Sequence, residues 1–145
     1  MQLGFLILAD HSEALNGKLY AMGGGWNMLR LPQIPHEWGF AIAFAIDVPW
    51  AETNRRHTLT LHIEDPDGTV LGDEFSLEFE SGRPAGAIEG QEQRIVLSLQ
   101  TRQTFTATGP HAVVVRVGEE EIDRSRFYVL EAPPDMLPPE MRPET

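Results

Sequence analysis

Few residues of this chain have types suited to chemistry, and they are scattered. Asp10-His11-Ser12 holds the three side-chain types of a hydrolase triad. A triad is assembled by geometry from separate elements, however, and adjacent residues rarely point at one locus. No Gly-x-Ser-x-Gly turn exists to present a serine nucleophile, so the tripeptide reads as coincidence. The histidines are His11, His36, His57, His62 and His111. A metal site needs at least three converging ligands, and His57 and His62, five apart, would face opposite sides of one strand. They read as exposed or hydrogen-bonded structural histidines. An enzyme would have to bring Asp10, His36 or His57 together in a pocket. Glu64-Asp65-Pro66-Asp67-Gly68 resembles half of a calcium loop but lacks its regular ligand spacing and terminal glutamate. A hairpin turn explains it better. Glu119-Glu120-Glu121 reads as a solvated turn. Cysteine is absent, which excludes disulfides, thiolate metal sites and cysteine nucleophiles. The expectation is a non-enzymatic protein with no catalytic residue, metal or cofactor.

The three tryptophans carry a different kind of chemistry. Trp26, Trp38 and Trp50 fall in or beside the first two predicted loops. Rigid aromatics on loops at one end of a sandwich form a sugar-binding platform or a protein-binding hot spot. The competing role is to plug the core or anchor the loops, which suits Trp26 and Trp38 best. Trp50 is the better candidate for an exposed contact. All three stand as possible ligand or partner contacts.

The elements that must position them read as strands. Leu3–Ala9 is apolar on both parities, as in a strand buried on both faces. Asn16-Gly17 tolerates positive φ at both positions, so a hairpin returns through Leu19–Met22. Gly23-Gly24-Gly25 then ends the return strand. Glycine loops also cradle phosphates, but prolines rather than a helix follow here, so no helix N-terminus exists to hold an anion. Pro32 and Pro35 make Leu31–His36 an extended connection. Phe40, Ile42, Phe44, Ile46 and Val48 share one face of the next strand, and Ala41, Ala43, Ala45 and Asp47 share the other. Both faces are therefore covered, the alanine face by a close-packed segment, a second chain or a ligand. Leu59, Leu61 and Ile63 point inward from Thr58–Ile63, and Asp65-Pro66-Asp67-Gly68 turns the chain. Phe75, Leu77 and Phe79 alternate with Glu74, Ser76, Glu78 and Glu80, the pattern of a strand near a charged sheet edge. Ile95, Leu97 and Leu99, then Val113, Val115 and Val117, then Phe127–Leu130 supply further strands.

About eight strands with turn signals between them, and no long amphipathic helix, predict a single-domain all-β antiparallel sandwich, immunoglobulin-like or jelly-roll-like, with a barrel as rival. The domain spans 1–131. Residues 132–145 form a proline-rich acidic tail expected to be disordered, with Met136-Leu137 as the centre of a possible docking peptide. At 145 residues the chain is long enough for a real core. Its formal net charge of −11 repels phosphate backbones, so no nucleic-acid partner is expected. Met1-Gln2 carries no basic side chain and the apolar run after it is short. A cytoplasmic protein with no membrane contact is expected, with a protein partner or a second copy as the possible associate.

Three segments also carry a resemblance: Phe-Leu-Ile-Leu-Ala-Asp near the start, Asn-Gly-Lys-Leu-Tyr-Ala-Met-Gly-Gly-Gly-Trp at 16–26, and His-x-Leu-x-Leu-x-Ile-Glu-Asp-Pro-Asp-Gly at 57–68. In that order they resemble an uncharacterised family of small bacterial proteins, a domain of unknown function, over most of residues 1 to 130. The resemblance implies an all-β fold and a cytoplasmic location. It transfers no catalytic residue, ligand or partner. What remains is a binding or self-assembly module acting through protein–protein contacts, with small-ligand or carbohydrate binding by the tryptophans as the alternative.

Overall fold

The computed structural model describes residues 1–137 and 139–142 of the chain. Among the described residues nine strands form two packed sheets: β1 (Gln2–Leu15), β2 (Lys18–Trp26), β3 (Met28–Leu31), β4 (His36–Val48), β5 (Arg56–Glu64), β6 (Val70–Glu80), β7 (Gln93–Phe105), β8 (Gly109–Val117) and β9 (Glu120–Glu131). One sheet has the order β2-β1-β4-β7 and the other β3-β9-β8-β5-β6. Every pairing is antiparallel except β3 with β9, which is parallel. The all-β sandwich read from periodicity is therefore the observed architecture. β3 is the strand that the prolines conceal: only four residues long, it buries Leu29 and Leu31 before Pro32 can interrupt.

The inward faces form one core. Phe40, Ile42, Phe44, Ile46 and Val48 of β4 meet Leu59, Leu61 and Ile63 of β5, Val113 and Val115 of β8, and Phe127 and Val129 of β9. Complete burial of such side chains supplies about 1.5–3 kcal/mol each, which is why strict alternation decides the register. At one end the core is aromatic. Phe40 lies 6.2 Å from Phe105 and 6.4 Å from Phe127, and the His111 ring lies 5.5 Å from each of the last two, edge-to-face with Phe105 and tilted over Phe127. His111 is fully buried, its Nδ1–H donating to the Gly109 carbonyl at 3.0 Å.

The alanine face is covered from within the chain. β1 pairs with β4 only as far as Ala9–Ala41, and beyond that it pairs with β2 alone. Ser12 then reaches across β4 to β7: its Oγ lies 2.6 Å from Ser98 Oγ, and the Ser98 hydroxyl donates to the Ser12 carbonyl at 3.0 Å. Ser98 is in register with Ala43. The distal half of the β1–β2 hairpin is thus an arm folded over the outer face of β4, and Ala41, Ala43 and Ala45 are all 0% exposed. Methyl groups are what permit this approach. A larger side chain would hold the arm off.

The glycine triplet does not end β2. The strand continues through it to Trp26, and the register slips there: Ala9 opposes Gly24, but Leu8 opposes Trp26. Gly25 is the extra residue, at φ 92°. A single-residue bulge moves everything beyond it to the other face of the sheet. Without it Trp26 would share the outer face with Gly24; with it, the indole turns inward.

Of the tail, Pro138 and residues 143–145 lie outside the described residues, and the expectation of disorder is not addressed for them. The described part makes two short 3-10 turns, Pro134–Met136 and Pro139–Met141, with Leu137 buried.

Candidate functional site

Trp26 and Trp38 meet at the aromatic end of the sandwich. The bulge turns Trp26 onto the core, where it packs edge-to-face on Phe40 at 5.8 Å. Trp38 lies two residues before Phe40 on the same inward parity. Because β1 has left β4 at Ala41, residues His36–Phe40 pair only with β7, and Trp38 stands beside an open flank. Both rings are half-buried. Together with Asp10, Met28, Leu29 and Arg30 they line a cleft of about 230 Å³, and Glu140 and Met141 of the tail complete its wall.

Asp10 sits at the hinge where the arm departs. Its carboxylate occupies the place a Cβ on Gly23 would take, and Gly23 has φ 62°. Partial burial raises the Asp10 carboxyl above its usual range, and the nearby Glu140 carboxylate raises it further. The Trp26 indole N–H offsets part of this by proximity. It falls short of hydrogen-bonding geometry, and Nε1 is buried with no partner among the described residues. The cleft thus combines two indoles, a thioether, one cation from Arg30 and one carboxylate that resists ionisation. Against that set the tail places the Met141 side chain and, next to it, the Glu140 carboxylate.

Trp50 lies apart from this cleft. It opens a 3-10 turn, Trp50–Glu52, and the Arg83 guanidinium covers its ring at 3.8 Å. Arg83 also donates to the Trp50 carbonyl at 2.8 Å and to Thr53 Oγ1 at 2.7 Å. The ring therefore ties the loop after β4 to the loop after β6. The three tryptophans do not form one platform; two of them share a site.

The residues an enzyme reading would need are dispersed. Asp10 lines the tryptophan cleft. His57 stacks on Phe79 at 5.4 Å, its Nε2 lies 2.8 Å from the Glu52 carbonyl, and it lines a separate cavity of about 440 Å³ with Glu52, Arg55 and Arg56. His36 begins β4 opposite Phe105 and lines neither cavity. Asp65 closes its own turn, Oδ1 accepting from the Asp67 and Thr69 amides at 2.9 Å each. Among the described residues no three His, Asp or Glu side chains are placed to hold a metal ion, and no helix is long and apolar enough to cross a membrane.

Sequence reasoning missed Asp10, Met28 and Arg30 as members of the site. The available signal was the glycine triplet opposite an Ala-Asp pair, which marks a bulge beside a side chain. Its register could not be read before β1 and β2 were paired.

Fold and cleft together define a small β-sandwich with an aromatic cleft at one end. The chain belongs to a family of unknown function, DUF6941, which matches residues 4–130. Comparison with curated proteins finds no match. Among solved structures, the chain is similar to the Pseudomonas fluorescens alkylpurine DNA glycosylase AlkC bound to DNA containing an abasic site analog, at 15% identity and a TM-score of 0.44, over 71% of this chain and 27% of that one. It thus spans about a quarter of the glycosylase's length. It is also similar to the CARDB domain of the PF1109 protein of Pyrococcus furiosus in complex with di-metal ions, at 13% identity and a TM-score of 0.36, over 91% of this chain and 93% of that one. Neither likeness bears on function.

Proposed function

We propose that the chain is a non-enzymatic binding module acting through protein–protein contacts, and that the Trp26–Trp38 cleft takes a short acidic–apolar segment. One observation carries this reading: the chain's own Glu140 and Met141 already line the cleft, beyond the span that the family matches. Aromatic side chains supply large contact area at low entropy cost, the usual basis of a binding hot spot. The tail of a second copy would satisfy the cleft equally well, which is the self-assembly form of the same reading.

The test uses the full chain with Met141→Asp, which undocks the tail. A synthetic peptide of residues 133–145 is then titrated in. Shifts of the Trp26 and Trp38 indole N–H resonances, with Trp50 unmoved, support the proposal. No shift at millimolar peptide refutes it. A second reading, small-ligand or carbohydrate binding by the same two tryptophans, is favoured by the pairing of two indoles with a carboxylate. A glycan and metabolite panel on the same variant, read by tryptophan fluorescence, separates the two.

A further inference from the structure

The two sheets close differently at their two ends. At the β2–β3 side the chain itself passes from one sheet to the other. At the opposite side β6 and β7 are both terminal strands and belong to different sheets. They touch where the Gln103 amide lies against Gly72, and between Phe75 and Leu99 a cavity of about 240 Å³ opens, floored by Ile42, Leu61 and Ile63. The inward side chains along this rim, Phe75 and Phe79 of β6 and Ile95, Leu97 and Leu99 of β7, are only partly buried although they pack on the core; Leu77 between them is partly buried as well. The rim is an apolar slot with a free strand edge on one side.

The charge of that edge is one-sided. Asp73, Glu74, Glu78 and Glu80 lie on β6. Opposite them Arg56 makes only a long contact with Glu78 at 4.0 Å. The β7 cations are already used: Arg94 is paired with Asp47 at 2.7 Å and Arg102 with Glu37 at 2.6 Å. A second copy of β6 laid on this edge would set glutamate against glutamate, which destabilises a strand pair. The edge therefore rejects its own copy and fits a strand of opposite charge. His62 stands beside this edge. It is 7% exposed and lines the cavity. Its Nε2 donates to Glu64 at 2.9 Å, and its Nδ1 lies 3.5 Å from the Glu74 carboxylate, so the ring ties the cavity wall to the acidic edge.

We propose that the β6 edge is a second interaction surface, and that its partner is an extended protein segment alternating apolar with basic residues. Added to β6, such a strand directs its apolar side chains into the slot between Phe75 and Leu99 and its lysines or arginines alongside Glu74, Glu78 and Glu80. Main-chain hydrogen bonds provide the affinity and the alternation provides the specificity. This surface lies on a different strand pair from the tryptophan cleft and does not depend on it.

The probe is a nine-residue peptide alternating lysine with valine, with its glutamate–valine counterpart as control, titrated into the full chain. The lysine peptide is expected to shift backbone amides of β6 and β7 and to slow amide exchange along Val70–Glu80, while the glutamate peptide does neither. Glu78→Lys with Glu80→Lys is expected to weaken the lysine peptide about tenfold and to admit the glutamate peptide. Glu119→Lys with Glu120→Lys makes the same change in net charge at the β8–β9 turn and is expected to leave binding within about twofold. Equal loss in both double variants, shifts spread away from β6 and β7, or no binding at all overturns the proposal. All four substitutions are at exposed positions, and a thermal melt of each variant verifies the fold.

Discussion

If the arm closes the outer face of β4, then Ala43→Leu must push it away. Ala43 is 0% exposed and lies between Ile7 on β1 and Ser98 on β7, under the arm that Ser12 pins to Ser98. Leucine adds three carbons where none fit. Forcing extra carbons into a packed site costs about 1–3 kcal/mol. If the arm lifts instead, the two Ser12–Ser98 hydrogen bonds are lost, each worth about 1 kcal/mol. Either route gives a loss of about 2 kcal/mol, or a fall of about 6–10 °C in Tm for a chain of this length. Two measurements separate this from ordinary core damage. Amide exchange should accelerate across Asp10–Gly23 first, and the loss of Tm should not depend on protein concentration, because the cover is intramolecular. A variant as stable as the parent, or a loss that shrinks as concentration rises, would refute the folded-over arm and favour a second chain as the cover.

Deleting Gly25 removes the bulge and returns Trp26 to the outer face. Tryptophan emission should shift to the red, and stability should fall by about 2 kcal/mol, below the roughly 3–5 kcal/mol of a fully buried aromatic because the Trp26 ring is half-buried, as read by urea unfolding. The Asp10 carboxyl is held above its ordinary range by partial burial and then by Glu140. Its charged form therefore opposes tail docking. That penalty is absent below the unfolded value of about 3.9 and is complete once pH has risen through the folded value. Tail docking, followed by the Met141 methyl resonance, should weaken over that rise, and Asp10→Asn should flatten the profile. Glu64 behaves in the opposite sense. Hydrogen bonds from Arg124 first and His62 second hold it below its ordinary value of 4.5. Its contribution is present above that value and is lost as pH falls through the folded one. Glu64→Gln should cost about 1 kcal/mol at pH 7, and the difference should narrow in paired denaturation curves as pH falls from 4.5 through the folded value.

Much of this molecule was legible one strand at a time. The alternation of Phe40–Val48 with its alanines, of Leu59–Ile63, and of Val113–Val117 is a property of residues two apart, and so is the side each one presents. Asn16-Gly17 and Asp65–Gly68 reverse the chain through their own backbone preferences. The acidic alternation of β6 marked an edge, and it is one. These features depend on neighbours along the chain, so the sequence by itself determined the β-class, most of the strands and the composition of the core.

Only the tertiary structure decided the site. Trp26 faces inward because a register slip at Gly25 reverses its parity, and that slip exists only between paired strands. Trp38 shares the cleft because β1 leaves β4 early, while Trp50, equally prominent along the chain, is drawn to another loop by Arg83. The alanine face could have met a partner, a ligand or the chain itself; the contact between Ser12 and Ser98, 86 residues apart, chose the last. Each outcome depends on which distant segments meet, and local periodicity carries no information about that.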